Sequence, residues 1–179
     1  GTDSQWFLCH KEMSSDYYNY WLHWDNDSAW QNAAARWGGT APTDSVITVG
    51  NYSTNLSQDY VVYAWHSVPG FSKMGSYIGN GNSNGPEVEL GFKPKFFMVK
   101  QFDATRNWQI IDVSSSTLDY KFDRHLHPNL TNGLAAADWA EGKSNGLKNI
   151  NTYNEMNISG VKYIYMAFAE DPFKYNTAR

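Results

Sequence analysis

A chain of 179 residues can bury a real core, as one domain or as two small ones. Its formal net charge of −4, with no Lys/Arg cluster anywhere, excludes a phosphate-binding nucleic-acid surface. A single cysteine, Cys9, excludes an internal disulfide framework, and no apolar run reaches membrane-spanning length, so no membrane insertion is expected.

In chain order, alternation and runs of β-branched or aromatic residues predict strands over 6–10, 18–24, 45–49 and 60–66. A polar turn at 51–59 separates the last two. Short helical candidates fall at 28–35 and 134–140, each with an alanine triplet. Further strands are predicted over 87–90, 96–101, 108–113, 120–127, 146–150 and 162–169. The Gly/Asn-rich stretch 78–86 reads as a loop closed by Pro86, because Gly and Asn tolerate positive φ. Pro94 and Pro128 are expected at strand ends or edges. Many short strands with turns between them predict an all-β, sandwich-like body with short helical turns.

Several short words recur at a nearly fixed offset. AAARW at 33–37 is matched by AAADW at 135–139, 102 residues later. Trp6 matches Trp108, and Asn55-Leu56-Ser57 matches Asn157-Ile158-Ser159, at the same offset. Leu22-His23 matches Leu126-His127, and the run from Tyr60 matches the run from Tyr163, within two residues of it. The order points to an internal duplication, with a first β repeat over 1–70 and a second over 71–179. Residues 71–106 precede Trp108, whereas only residues 1–5 precede Trp6. The first copy is therefore read as truncated, and the chain as a fragment of a longer protein. No linker separates the copies, so they are expected to share a core.

The candidate chemistry is sparse. Asp123, His125 and His127 share one strand face and could in principle hold zinc, but a structural or exposed pair is the stronger reading. Asp25-Asn26-Asp27-Ser28 carries calcium-type oxygens without the calcium-loop spacing, and reads as a turn or cap. No metal and no cofactor is assigned. Cys9 and His10 are adjacent on a strand and point apart, and no Gly-x-Ser-x-Gly elbow is present. Glu87 and Glu89 share a strand face and are an acidic pair that could serve glycoside hydrolysis, though a solvated surface is much the stronger reading. The positive signal is aromatic: 16% of the chain, with eight Trp and twelve Tyr. Trp21, Trp24, Trp30 and Trp37 fall close together, beside Tyr17, Tyr18 and Tyr20. Trp21 and Trp24 cannot both point inward from a regular strand, so part of this cluster is expected at a surface or subunit contact. Tyr18, Tyr20, Trp21, Trp24 and Trp30, with loop residues Asn80, Asn82 and Asn84, are the candidate binding residues.

The segments GSYIGNG at 75–81, GPEVELGFKP at 85–94, HPNL at 127–130, NISG at 157–160 and YIYMAFAEDPF at 163–173 resemble a domain found in virion proteins of marine tailed bacteriophages. The resemblance covers most of the chain and is strongest over 71–179. It implies a non-enzymatic domain of a tail fibre or related surface appendage, made in the bacterial host cytoplasm and displayed on the virion surface for host attachment. The implied partners are a host-surface glycan or protein receptor and other virion proteins. A homo-oligomer, specifically a trimer, is the family-based expectation. No catalytic residue is carried over. The alternative is a purely structural or decorative virion protein whose aromatics are buried between subunits. A polysaccharide depolymerase, which needs an acidic pair in a cleft, is the third.

Overall fold

The computed structural model describes residues 5–32, 34–50, 59–118 and 120–172. Most of the polar turn at 51–59, the Asn55-Leu56-Ser57 word within it, and Phe173 lie outside these residues. The fold is all-β and antiparallel, with eleven strands in three sheets among the described residues. Strands β1 (Phe7–Leu8), β2 (Tyr20–His23) and β3 (Gln31–Asn32) form a small sheet in that order. Strands β4 (Ser72–Ile78), β6 (Pro94–Gln101), β7 (Gln109–Asp112) and β11 (Lys162–Ala169) form a second sheet in the order β4-β11-β6-β7. Strands β5 (Glu87–Glu89), β8 (Lys121–His125), β9 (Ala135–Lys143) and β10 (Gly146–Asn149) form the third, in the order β5-β10-β9-β8. Short 3-10 turns occupy Tyr17–Asn19, Ala34–Arg36 and Val113–Ser115.

Period-two alternation makes the β4-β11-β6-β7 sheet the middle layer. Tyr163, Tyr165 and Ala167 of β11, Phe97 and Val99 of β6 and Ile111 of β7 face one way. They pack with Val88, Phe122, Trp139, Ala140 and Leu147 of the third sheet into the larger core. The alternate residues Ile164, Met98 and Ile110 face the other way and pack with Met13, Leu22 and Trp108. The N-terminal segment therefore shares a core with the rest of the chain. The second and third sheets also meet at a corner, where Ile110 and Leu126 each donate a main-chain N–H to the other's carbonyl at 2.9 Å.

The structure corrects four expected elements. Residues 134–140 are not helical: Ala135–Lys143 is the long strand β9, paired with both β8 and β10. Alanine's helix preference is under 1 kcal/mol per residue against most alternatives, and two flanking ladders outweigh it. The candidate over 28–35 gives way to β3 and the Ala34–Arg36 turn. Residues 45–49 and 60–66 form no strand, because neither run finds a partner ladder. β propensity describes fit to a pleated, half-buried surface and does not create one. Conversely β4, which no pattern announced, carries Gly75 and three polar residues yet pairs along its whole length with β11.

The repeated words adopt different conformations. Of the first, Ala34–Arg36 form a 3-10 turn, whereas AAADW lies in β9 with Ala135 and Ala136 exposed and Trp139 in the core. Trp6 is exposed and its sequence counterpart Trp108 is buried.

Candidate functional site

The candidate binding residues divide into buried and exposed sets. Trp21, on β2, is only 6% exposed; its ring lies edge-on to Phe7 and His23, and the Arg36 guanidinium sits 4.1 Å from its centroid. Its expected place on a binding surface is therefore corrected: β2 turns it into the interior. Tyr20 and Trp30 are half-buried and stack on each other at 4.2 Å, and Trp30 packs edge-on against Phe102. Tyr18 is half-buried, edge-on to Tyr17. Trp24 lies one residue beyond β2 and leaves its face, as alternation required.

Trp24 belongs to a continuous ladder of rings that runs from solvent into the core. Its backbone N–H donates to the Trp6 carbonyl at 3.0 Å, which extends the β1–β2 pairing and brings Trp6 alongside. The Trp6 ring lies 6.3 Å from Tyr63, Tyr63 lies 5.8 Å from Trp65 with near-parallel planes, and Trp65 lies 5.9 Å from Trp24. Trp24 in turn stacks on Trp108 at 5.9 Å. The outer members are open: Trp6 is 55% exposed, Tyr63 62% and Trp65 44%, while Trp108 at the inner end is 2% exposed. Tyr63 and Trp65 stand two apart on an extended run, so their rings fall on one side. That spacing was the available signal for this surface. Tyr60, Val61 and Val62 extend the exposed apolar strip.

The inner end is fixed by polar contacts. Trp108 Nε1 donates to the His23 carbonyl at 2.8 Å. Lys100 lies 5.8 Å from the Trp108 ring and is fully buried, with Nζ donating to the carbonyls of Asp27 at 3.2 Å and Arg106 at 2.6 Å. Burial pulls its ammonium down to about 8, opposed by the nearby Asp27 and Asp103 carboxylates. The Asp25–Ser28 stretch is a turn, with the Ser28 N–H on Asn26 Oδ1, and its role is to present the Asp27 carbonyl to Lys100.

The Asn80–Asn84 loop is exposed and built from asparagine turns. Asn82 N–H donates to Asn80 Oδ1, and Asn84 N–H to Asn82 Oδ1. Its base is the fully buried Asn157. That side chain accepts from the N–H groups of Asn80 at 2.8 Å and Gly81 at 3.2 Å, and donates to the carbonyls of Asn82 at 2.8 Å and Asn151 at 2.7 Å.

The other chemistry-bearing residues do not converge. Asp123 accepts from the Thr117 side chain and N–H, and His127 Nδ1–H donates to the Trp108 carbonyl. Among the described residues no three His, Cys, Asp or Glu side chains gather as a metal site. Cys9 donates to the Tyr17 carbonyl, and burial pushes its thiol up to about 12, away from thiolate chemistry. Glu87 and Glu89 are both exposed on the short strand β5. No helix among the described residues is long and apolar enough to cross a membrane.

Residues 1–172 match a protein family described as a domain of unknown function, DUF7483. No curated protein and no solved structure matches the chain. Because the match spans nearly its whole length, the chain belongs to the DUF7483 family.

Proposed function

We propose that the chain is a non-enzymatic attachment domain of a virion surface appendage, and that it binds host-surface glycans on the aromatic ladder. One observation carries the reading: three aromatic rings, Trp6, Tyr63 and Trp65, stand open to solvent in contact with one another and are braced from below by Trp24 and Trp108. Leaving large apolar rings in water is unfavourable, and a contiguous exposed patch of this kind marks a binding surface. The C–H faces of sugar rings present apolar area to aromatics, while their hydroxyls stay wet at the rim. Tyr and Trp supply that contact with few rotatable bonds, so little side-chain entropy is lost on binding. Weak sites suffice where several copies engage one cell.

The test is binding of the labelled chain to bacterial cells before and after their surface polysaccharide is stripped. Saturable binding that disappears on stripping, and that weakens roughly tenfold with Trp65→Ala, supports the proposal. Binding that survives stripping, or that is indifferent to Trp65→Ala, refutes it. The same strip, with Tyr60, Val61 and Val62, also suits a contact between subunits. That second reading gains support if the folded chain binds no cells and self-associates in sedimentation, with the association abolished by Trp65→Ala.

A further inference from the structure

A second surface lies apart from the aromatic ladder, along the open edge of β4. A groove of about 510 Å³ is lined by Gly75, Ser76 and Tyr77 on one side and by Glu87, Val88 and Glu89 of β5 on the other. Both strands are sheet edges. Alternation tells which main-chain groups face the groove. Ser72 exchanges main-chain hydrogen bonds with Val68, and Met74 N–H donates to Ser67 Oγ, so even-numbered residues of β4 turn their N–H and C=O away from β11. The segment 67–68 thus covers the first half of the edge. It stops there, and the outward main-chain groups of Ser76 and Ile78 have no partner among the described residues.

On β5, Val88 and the flanking Pro86 and Leu90 turn towards β10 and its loop, so Glu87 and Glu89 present main chain to the groove. Only the Glu89 carbonyl is taken, by Lys73 Nζ at 2.6 Å. The edge lacks the usual protections: β4 holds no proline and no bulge, and its one lysine is tied down by that contact.

The charges indicate what fits. Lys11 is 4.0 Å from Glu12, and Lys73 is held by a carbonyl, whereas the carboxylates of Glu87 and Glu89 form no ion pair among the described residues. Two residues apart on a strand, they stand about 6.7 Å from each other, the spacing of alternate side chains on any extended chain.

We infer that the β4 edge accepts an extended polypeptide strand carrying Lys or Arg at alternate positions. Its main chain pairs with Ser76 and Ile78, and its basic side chains meet Glu87 and Glu89. This is strand addition, in which the main chain supplies affinity and alternate side chains supply choice of partner. The inference is independent of the glycan reading, since the two surfaces share no residue.

The probe is a capped, fluorescent peptide of three Lys-Val repeats, titrated against the full chain at low salt, with amide hydrogen exchange read in parallel. Saturable binding is expected, with slowed exchange at Ser76 and Ile78. A Lys-Val peptide of equal charge with every main-chain nitrogen methylated, which cannot donate to the edge, is expected to bind at least tenfold more weakly. Ser76→Pro removes an outward N–H at a position where an edge strand tolerates proline, and is expected to weaken binding roughly tenfold. The double variant Glu87→Lys with Glu89→Lys is expected to lose the Lys-Val peptide and to gain one with Glu in place of Lys. The inference is overturned if the N-methylated peptide binds equally well, or if binding leaves exchange at Ser76 and Ile78 unchanged. Absence of saturable binding also overturns it. The exchange readout uses the unaltered chain, so it decides the question even if a variant fails to fold.

Discussion

Replacing Asn157 tests whether the Asn80–Asn84 loop is held from beneath by a single buried amide. Asn157 uses its whole capacity: two N–H groups on Oδ1 and two carbonyls on Nδ2, all between 2.7 and 3.2 Å. Asn157→Ala breaks four bonds. The three loop groups regain water once the loop opens, at a net loss of about 1 kcal/mol each, and the buried Asn151 carbonyl loses a partner at about 1–3 kcal/mol. The expected destabilisation is therefore about 4–6 kcal/mol, read as a lower urea midpoint at unchanged slope. Asn157→Asp keeps the shape and inverts the chemistry, because an oxygen then faces the carbonyls of Asn82 and Asn151. Burial raises such a carboxyl above its unfolded value of about 3.9, so the folded state holds its proton longer. The variant's deficit relative to the native chain then grows as pH rises above that value. Asn157→Ala within 1 kcal/mol of the native chain, or Asn157→Asp no worse at pH 7 than at pH 4.5, would refute the argument.

Two further perturbations address the same packing. The neutral His10 ring is satisfied on both sides: Nδ1 accepts the Glu12 N–H, which leaves Nε2–H to donate to the Tyr165 carbonyl. Burial lowers its pKa from 6.5 to about 4, so between these values the unfolded chain binds the extra proton. Its contribution is complete above pH 6.5 and lost as pH falls towards 4, about 3 kcal/mol at 1.36 kcal/mol per unit. His10→Gln should flatten that part of the stability–pH curve in urea titrations; an unchanged slope counts against it. Gly79→Ala places a Cβ 2.3 Å from the Ile158 carbonyl oxygen, and the clash should cost about 1–3 kcal/mol, with faster amide exchange across 79–85 as its local signature.

How much of this was legible in the sequence depends on where each strand's partners lie. β11 was readable to the residue, because Lys162–Ala169 is β-branched and aromatic and pairs on both sides. β4 was not: its Gly75 and serines weaken the local signal, and its pairing with β11 comes from the far end of the chain. Gly75 has a job that no local pattern reveals. Opposite Tyr165, it leaves room for a ring whose oxygen lies 2.5 Å from where a Cβ would stand. The 60–66 run failed for the converse reason, since it has strand composition but no ladder to join.

The same distinction explains the aromatic surface. Local spacing showed that Trp21 and Trp24 must part company, and they do: one meets Arg36 in the interior, the other leaves along the ladder. It could not show that Trp24 meets Trp65 and Trp108, because those contacts span the chain. Nor could it show why the ladder stays upright. Lys100, buried beside Trp108, ties the loop at Asp27 to the loop at Arg106, and those loops frame the inner ring. The outer rings rest on one another, and the innermost ring lies beside a cation held by two carbonyls. The exposed rings Trp6 and Trp65 owe their places in the ladder to Tyr63 and Trp24 respectively, contacts that local spacing does not announce.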